Sequence, residues 1–205
     1  MDGSQLGGGD TRGAARPERR PRRPSSAGSD GGGPRADIAA DPDADPYAVA
    51  RTIVLDQLGV RARSRAELRT KLASRNVPDD VAEAVLDRME AVHLVDDGAF
   101  AAEWVRQRHN GKGLAARALT AELRRKGVDD EAVRRALDQL DPGTERTTAK
   151  ALVARRLAAS RGLAREARVR RLAGMLARKG YPPGLAFQVV RDALASEGQD
   201  LDGPD

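Results

Sequence analysis

The residues with side chains suited to chemistry are concentrated in one segment, LVDDGAFAAEWVRQR (94–108). It contains an aspartate pair, Asp96 and Asp97, and the one tryptophan of the chain, Trp104. His93 directly precedes the segment. Two carboxylates and an imidazole could begin a metal site. A zinc site needs about four ligands, however, and the chain has no cysteine and no HxxxH spacing. We therefore expect no metal here.

The same segment also has the pattern of a helix start followed by core residues. Asp96 or Asp97 is placed to cap a helix, because a carboxylate there accepts hydrogen bonds from free backbone N–H groups and meets the positive end of the helix dipole. Apolar side chains follow at helical spacing and form one stripe: Phe100, Ala101, Trp104 and Val105. We expect Phe100 and Trp104 to be core residues.

A second candidate for chemistry is the glycine-containing stretch NGKGLAAR (110–117). It lacks the GxxxxGK[ST] spacing of a phosphate-binding loop and has no strand before it, so it indicates a turn between helices. No histidine is paired with an obvious nucleophile, and most carboxylates fall in the first turns of predicted helices, where capping explains them. The sequence therefore predicts no catalytic residue and a protein that is not an enzyme.

Composition limits the class of protein. The 205 residues are 40% hydrophobic and 33% charged, and only five are aromatic, which predicts a thin core of Leu, Val and Ala. The absence of cysteine excludes a disulfide scaffold. No apolar run reaches the roughly 20 residues of a membrane span, and the first ten residues, MDGSQLGGGD, do not resemble a signal peptide. We expect a cytoplasmic protein without membrane contact.

Residues 46–196 have helical periodicity almost throughout. The predicted helices are Pro46–Leu58, Arg65–Arg75, Asp79–Ala91, Asp97–Asn110, Leu114–Lys126, Asp130–Leu140, Thr144–Ser160, Arg165–Lys179 and Pro183–Ala195. Ser64 and Glu67 form a capping box before the second helix. Glycines are expected to end several helices: Gly59, Gly111, Gly127, Gly162 and Gly180.

The two ends of the chain have a different composition. Residues 1–45 are rich in Gly, Pro, Ser, Asp and Arg, and cannot bury enough apolar surface to offset the entropy of ordering. We expect a disordered tail whose arginine-rich run, 16–24, is either solvated or in contact with nucleic acid. Residues 197–205 are expected to form a short acidic tail.

The helices form a threefold repeat. Three segments align with leucines in register: ELRTKLASRNVPDDVAEAVL (67–86), ALTAELRRKGVDDEAVRRAL (118–137) and RLAGMLARKGYPPGLAFQVV (171–190). Asn76 replaces the glycine that the other two copies have at the turn, and asparagine also accepts left-handed geometry. We predict an all-α fold of three tandem three-helix repeats in an elongated, curved array, with modules at 46–97, 98–142 and 143–196.

Basic residues are concentrated in the third module. Residues 146–196 contain 12 Lys and Arg against 2 Asp and Glu, whereas residues 46–145 contain 17 of each. Helical spacing places Arg168, Arg171 and Arg178 opposite the leucines, as a ridge that either contacts an anionic partner or is merely solvated. The candidate partner-binding residues are Arg117, Arg124, Arg125, Lys126, Arg168, Arg171, Arg178 and Lys179.

These segments together resemble the RecX family of regulatory proteins. LVDDGAFAAEWVRQR is similar to the family's box of acidic pair, aromatic and basic residues. RSRAELRTKL (63–72), LTAELRRKGVDDEAVRRAL (119–137) and RRLAGMLARKGY (170–181) resemble its boxes in the first, second and third modules. The resemblance covers about residues 48–195 and does not extend to the long N-terminal tail.

The resemblance implies a regulator of the recombinase RecA. Such proteins bind along the groove of RecA filaments on single-stranded DNA, cap or disassemble them, and so restrain ATP hydrolysis and strand exchange in recombination, DNA repair and the SOS response. They also have some affinity for DNA. The resemblance implies no cofactor of its own, since ATP and magnesium belong to RecA. We expect a monomer. The alternative is a stand-alone helical DNA-binding protein that ignores RecA and binds with a steep salt dependence.

Overall fold

Residues 45–201 are described by this computed structural model, and they form helices and short connections with no strand among them. The helices are α1 Pro46–Val60, α2 Arg65–Ala73, α3 Asp79–Ala91, α4 Asp97–Lys112, α5 Ala116–Arg125, α6 Asp130–Asp138, α7 Pro142–Leu157, α8 Arg165–Arg178 and α9 Pro183–Leu201. A 3-10 turn, Ala158–Ser160, follows α7. The predicted helices are confirmed over this range. None of them is both long and apolar enough to cross a membrane. The expected disordered tail lies outside the described residues, apart from Asp45.

Side-chain caps set the start of five helices. In each case a side-chain oxygen accepts a hydrogen bond from a backbone N–H of the first turn, which contributes about 1 kcal/mol. The capping residues are Asp45, Ser64, Asp96, Asp129 and Asp141. Ser64 and Glu67 satisfy each other's backbone groups, so the predicted capping box is confirmed.

Left-handed residues follow α2, α5 and α8, as expected from the repeat. Their φ angles are +59° at Asn76, +75° at Gly127 and +90° at Gly180. The expectation that Gly59 and Gly111 end helices is wrong, because both lie inside α1 and α4. A helix interior tolerates glycine at a cost of about 1 kcal/mol. The residue that ends α4 is Gly113, with φ +61°.

Each set of three helices encloses its own apolar core. One core joins α1–α3, a second joins α4–α6, and a third joins α7–α9 with Ala115 from the start of α5. The aligned leucines lie at equivalent positions in these cores, each at most 2% exposed: Leu68, Leu72, Leu119, Leu123, Leu172 and Leu176. Burying one leucine contributes about 1.5–3 kcal/mol. The three-helix repeat predicted from the leucine register is confirmed.

The contact between neighbouring modules is also repeated. The carbonyl oxygen of Lys126, in the turn after α5, accepts a hydrogen bond from Ser64 Oγ at 2.6 Å. The carbonyl oxygen of Lys179, in the turn after α8, accepts one from the Ala115 N–H at 2.9 Å. These residues occupy matching positions in the alignment. The second and third modules therefore each place the same turn against the start of the middle helix in the module before it.

The glycines of these turns are required by close packing as well as by their φ angles. A Cβ atom added to Gly127 would lie 2.3 Å from the Cβ of Ala66. One added to Gly180 would lie 2.5 Å from the backbone nitrogen of Ala118. Larger residues would push the modules apart, so these positions set the junctions.

The boundary predicted for the acidic tail, at residue 197, falls inside α9. Helix α9 continues to Leu201, and Glu197 within it is only 9% exposed. Its carboxylate forms ion pairs with Arg161 and Arg168. The interpretation of Glu197 as part of a solvated tail is wrong, because the guanidinium groups of Arg161 and Arg168 bind its carboxylate within the third module. Residues 202–205 lie outside the described residues.

Candidate partner-binding site

Asp96 and Asp97 have different structural roles. Asp96 Oδ1 accepts a hydrogen bond from the Ala99 N–H at 2.8 Å and caps α4. Asp97 Oδ1 accepts one from the N–H of Arg65, the first residue of α2, also at 2.8 Å. Burial raises the pKa of Asp97, although the Arg65 N–H opposes the shift. Asp97 therefore links α4 to the first module instead of capping its own helix.

Phe100 and Trp104 differ in burial. Phe100 is 6% exposed and is confirmed as core, whereas Trp104 is only partly buried. Trp104 stacks on Phe100 with ring centroids 5.8 Å apart, and its Nε1–H donates to Glu122 at 2.9 Å. The guanidinium carbon of Arg108 lies 4.3 Å and Lys126 Nζ lies 4.1 Å from the indole centroid. The expectation of a core tryptophan is corrected to a tryptophan enclosed by polar groups at the edge of the core.

Lys126 is part of the junction between the first two modules. Its Nζ lies 2.7 Å from Glu67 Oε1, which also contacts Arg61 at 3.0 Å. Burial alone would raise the pKa of Glu67, but the bonds from Arg61 and Lys126 lower it to about 2. Because Lys126 is held by this carboxylate and by Trp104, it is not part of a free basic face.

The other candidates on α5 face solvent. Arg117 and Arg125 are exposed, and the Nε of Arg125 donates to the carbonyl of Ala121 at 3.1 Å. Arg124 Nε lies 2.7 Å from Asp130 Oδ1, and this hydrogen bond raises the pKa of Arg124. Their role in partner binding stays a prediction.

The ridge predicted on α8 is only partly exposed. Arg171 and Arg178 are exposed. The side chain of Arg168 is 15% exposed and forms an ion pair with Glu197, while its Nε donates to Ser160 Oγ at 3.0 Å. Arg168 is thus excluded from a continuous exposed ridge, because α9 places a carboxylate against it.

The junction between the second and third modules joins polar groups far apart in sequence. Lys179 Nζ donates to the carbonyl oxygen of Lys112. Tyr181 Oη donates to the carbonyl oxygen of Gly113 at 3.1 Å, and burial raises the pKa of Tyr181 to about 12. The Nδ1 atom of the buried His109 ring lies 2.9 Å from the carbonyl oxygen of Leu114. A carbonyl oxygen can only accept, so Nδ1 carries the proton.

Beside this junction is a cleft of about 630 Å³. Its lining combines basic, threonine and apolar side chains. The lining residues are His109, Asn110, Gly111, Lys112, Gly113, Leu114, Thr147, Thr148, Ala151, Leu152, Arg155, Arg156, Met175 and Lys179. Among the described residues, none with a carboxylate is in this lining. We call this feature the basic cleft. Its charge suits an anionic partner.

Three exposed basic residues of the basic cleft were not among the candidates predicted from the sequence. Lys112 ends α4, whereas Arg155 and Arg156 lie near the end of α7, and within residues 45–201 none of the three is paired with a carboxylate. The one signal in the sequence was the excess of basic residues in the third module. Arg171 lies one helical turn before Met175 of the cleft lining, so it belongs to the same side of α8.

The side chains that could bind a metal ion are not grouped together in residues 45–201. No group of three or more His, Cys, Asp or Glu side chains in this part of the chain is arranged to hold a metal ion. His93 is exposed and has φ +57°, and the lining of the basic cleft contains a single imidazole, already bonded to a carbonyl and to Thr148. The arrangement is suited to contacts with an anionic surface.

Three family models match the chain in consecutive order. They are described as the first, second and third three-helix domains of RecX, and they match residues 50–89, 96–137 and 144–190. Together they cover more than half of the chain.

Similar proteins and structures carry the same name. A "Regulatory protein RecX" of Thermobifida fusca (strain YX) is 55% identical over 158 residues, covering 77% of this chain and 85% of the relative. One of Streptomyces coelicolor is 53% identical over 153 residues, covering 75% and 81%. A crystal structure of regulatory protein RecX has a TM-score of 0.66 at 27% identity, covering 76% of each chain. The structure of RecX from Lactobacillus salivarius, at 18% identity and a TM-score of 0.67, covers 72% of this chain and 96% of that one and shows the shared fold.

Proposed function

Because this chain belongs to the RecX family, we propose that it is a regulatory protein that binds RecA filaments on single-stranded DNA and inhibits them. The activities restrained are ATP hydrolysis, strand exchange and filament extension, and the processes affected are recombination, DNA repair and the SOS response. The observation that carries this proposal is the match to all three family domains in order. The relatives are named as regulators, which favours a non-enzymatic role. We expect a cytoplasmic monomer with no cofactor of its own.

The basic cleft is the surface that we assign to the filament. Its cations, Lys112, Arg155 and Arg156, are exposed, and the half-buried apolar side chains of Leu152 and Met175 line the same cleft. Exposed cations without internal partners lose little on binding an anion, and they release counterions from DNA when they do so. The filament offers both DNA phosphates and acidic protein groups. Arg171 on the same side of α8, with Arg178 one turn beyond Met175, extends this surface.

The proposed function is tested by the DNA-dependent ATPase of RecA in the presence of the full chain. We expect ATP hydrolysis to fall as the chain is added to filaments assembled on single-stranded DNA. An ATPase rate unchanged by excess wild-type chain would contradict the proposal. If the chain nevertheless bound bare DNA with a steep salt dependence, the alternative, a DNA-binding protein independent of RecA, would be favoured.

The assignment of the basic cleft is tested separately by the triple variant Lys112→Gln, Arg155→Gln, Arg156→Gln. If the three residues contact phosphates, the salt slope of binding to single-stranded DNA should decrease by roughly 2, at about 0.7 per contact. Contacts to acidic groups of RecA would instead leave that slope unchanged and weaken ATPase inhibition.

A matched control removes three exposed arginines of the first two modules, Arg88, Arg134 and Arg135, by substitution with Gln. It changes the net charge equally but leaves the cleft intact. If both triple variants behave alike, only total charge matters, and the assignment of the cleft is wrong even if the chain inhibits RecA.

A further inference from the structure

The last part of α9 is held to the third module by one carboxylate. Glu197 Oε1 accepts a hydrogen bond from Arg161 Nε at 2.6 Å, and its Oε2 accepts one from the guanidinium of Arg168. Both bonds lower the pKa of Glu197, so the group is charged at neutral pH. Two guanidinium groups around one oxyanion form the arrangement that proteins use to bind carboxylate or phosphate groups.

The donors are positioned by the fold and not by Glu197 alone. Arg168 is fixed through its Nε, which donates to the buried Ser160 Oγ at 3.0 Å, and Ser160 in turn donates to the Leu157 carbonyl at 2.7 Å. Arg161, the other donor to Glu197, has a side chain that is 68% exposed. One wall of the site is therefore preorganised, and the other is open to solvent.

Between Leu194 and Gly198, Glu197 is the side chain that anchors α9 to the rest of the third module. Leu194 is 4% exposed and belongs to the core of the third module. Of the side chains described after it, at positions 195–198, only that of Glu197 is buried. Moving residues 195–198 away from Arg161 and Arg168 would break the two ion pairs of Glu197 and displace no side chain of the apolar core. An anion that supplies the same hydrogen-bond acceptors could therefore take the place of Glu197.

The charges nearby favour such an exchange. The segment 146–196 has 12 Lys and Arg against 2 Asp and Glu, and one of the two carboxylates, Asp192, lies 3.7 Å from Arg146. From Arg155 of the basic cleft to Arg161, the chain follows the end of α7 and the 3-10 turn. At about 1.5 to 2 Å per residue, Arg161 lies roughly 10 Å along the chain from Arg155, a separation that one nucleic-acid strand of a few nucleotides can span.

From these observations we infer that Arg161, Arg168 and Ser160 form a phosphate-binding site for single-stranded nucleic acid, which Glu197 occupies as an internal competitor. The inference extends the proposed function, because it adds a second anion site beyond the basic cleft and a segment of the chain that restrains it. When a phosphate displaces Glu197, the end of α9 leaves the site and the two arginines contact the strand. Glu197 thereby weakens DNA binding in the free protein.

The test measures binding of the full chain to a fluorescent oligo(dT) across a salt series, without RecA. Glu197→Gln should bind more tightly than wild type, with a salt slope larger by about 0.7, the value for one phosphate contact. Asp192→Asn is the matched control, because it removes one negative charge from the same helix. Asp192 forms only a longer ion pair, with its Oδ2 3.7 Å from the guanidinium of Arg146. Equal effects of Glu197→Gln and Asp192→Asn would overturn the inference.

A double-mutant cycle identifies the residue that gains the contact. In the wild-type background Arg161→Gln should change oligo(dT) binding little, because the lost phosphate contact is offset by the loss of the Arg161–Glu197 ion pair that binding would otherwise have to break. In the Glu197→Gln background the same substitution should remove most of the gain. An equal effect of Arg161→Gln in both backgrounds would overturn the inference. The inference would also be overturned if Glu197→Gln increased the affinity for poly-glutamate as much as the affinity for oligo(dT), because the site would then accept acidic protein.

A measurement on the wild type covers the case in which Glu197→Gln does not fold. The Nε–H signals of Arg161 and Arg168 should move in nitrogen-15 spectra when oligo(dT) is added, and those of Arg146 should move less. Unchanged Arg161 and Arg168 signals at saturating oligo(dT) would overturn the inference. Because RecA is absent from these experiments, their outcome is independent of whether the chain inhibits the RecA ATPase.

Discussion

Glu67→Gln should weaken the junction between the first two modules without disturbing the helix that carries it. Glutamine at this position can still accept the hydrogen bond from the Ser64 N–H, so the capping box before α2 is kept. The substitution removes the negative charge that lies between Arg61 and Lys126. Any loss of stability can then be assigned to the charge at the junction.

The magnitude follows from the lowered pKa of Glu67. A change from 4.5 to about 2 corresponds to an upper limit of about 3.4 kcal/mol, at 1.36 kcal/mol per pKa unit. The Arg61 side chain is 42% exposed, and solvent screening reduces the expected free-energy loss to about 1–2 kcal/mol. Because the folded-state pKa is the lower one, this contribution is complete above about pH 4.5 and is lost as the pH falls toward about 2.

The assay is urea unfolding followed by the fluorescence of Trp104, whose ring contacts Lys126. Wild type and Glu67→Gln should differ most at about pH 7, and the difference should shrink by about 40% at about pH 3.5. Glu131→Gln is the control, since its ion pair with Arg134 is exposed and should contribute less than about 0.5 kcal/mol. Equal unfolding of Glu67→Gln and wild type at pH 7, or a difference that does not depend on pH, would refute the reasoning.

Two further pairs of substitutions test the packing. Phe100→Ala should reduce the unfolding free energy by about 3–5 kcal/mol and Trp104→Ala by less, because the tryptophan is only partly buried; the reverse order in thermal melts would contradict this. Gly180→Ala should destabilise by about 1–3 kcal/mol, because its Cβ would meet Ala118 and its φ is +90°. Gly59→Ala, inside α1 with open space around it, should instead stabilise the protein by about 0.5–1 kcal/mol. If both alanine variants were more stable than wild type, the packing of Gly180 against Ala118 would not restrict this position.

The helices, their caps and the threefold repeat could be predicted from the sequence because they depend on neighbours along the chain. Ser64 and Glu67 are three residues apart, and their capping box forms within a single turn. The aligned leucines recur at helical spacing, and each faces the core of its own module. Such patterns are local, so they survive any arrangement of the modules.

Tertiary structure decided which charged residues are available to a partner. Lys126 and Glu67 are 59 positions apart, and Arg168 and Glu197 are 29 apart, so no local pattern indicates that they meet. In contrast, Lys112, Arg155 and Arg156 remain exposed because the junction brings α4 and α7 together without a carboxylate between them. Helical spacing specifies the face on which a charge lies, but its availability depends on what a distant segment places against that face.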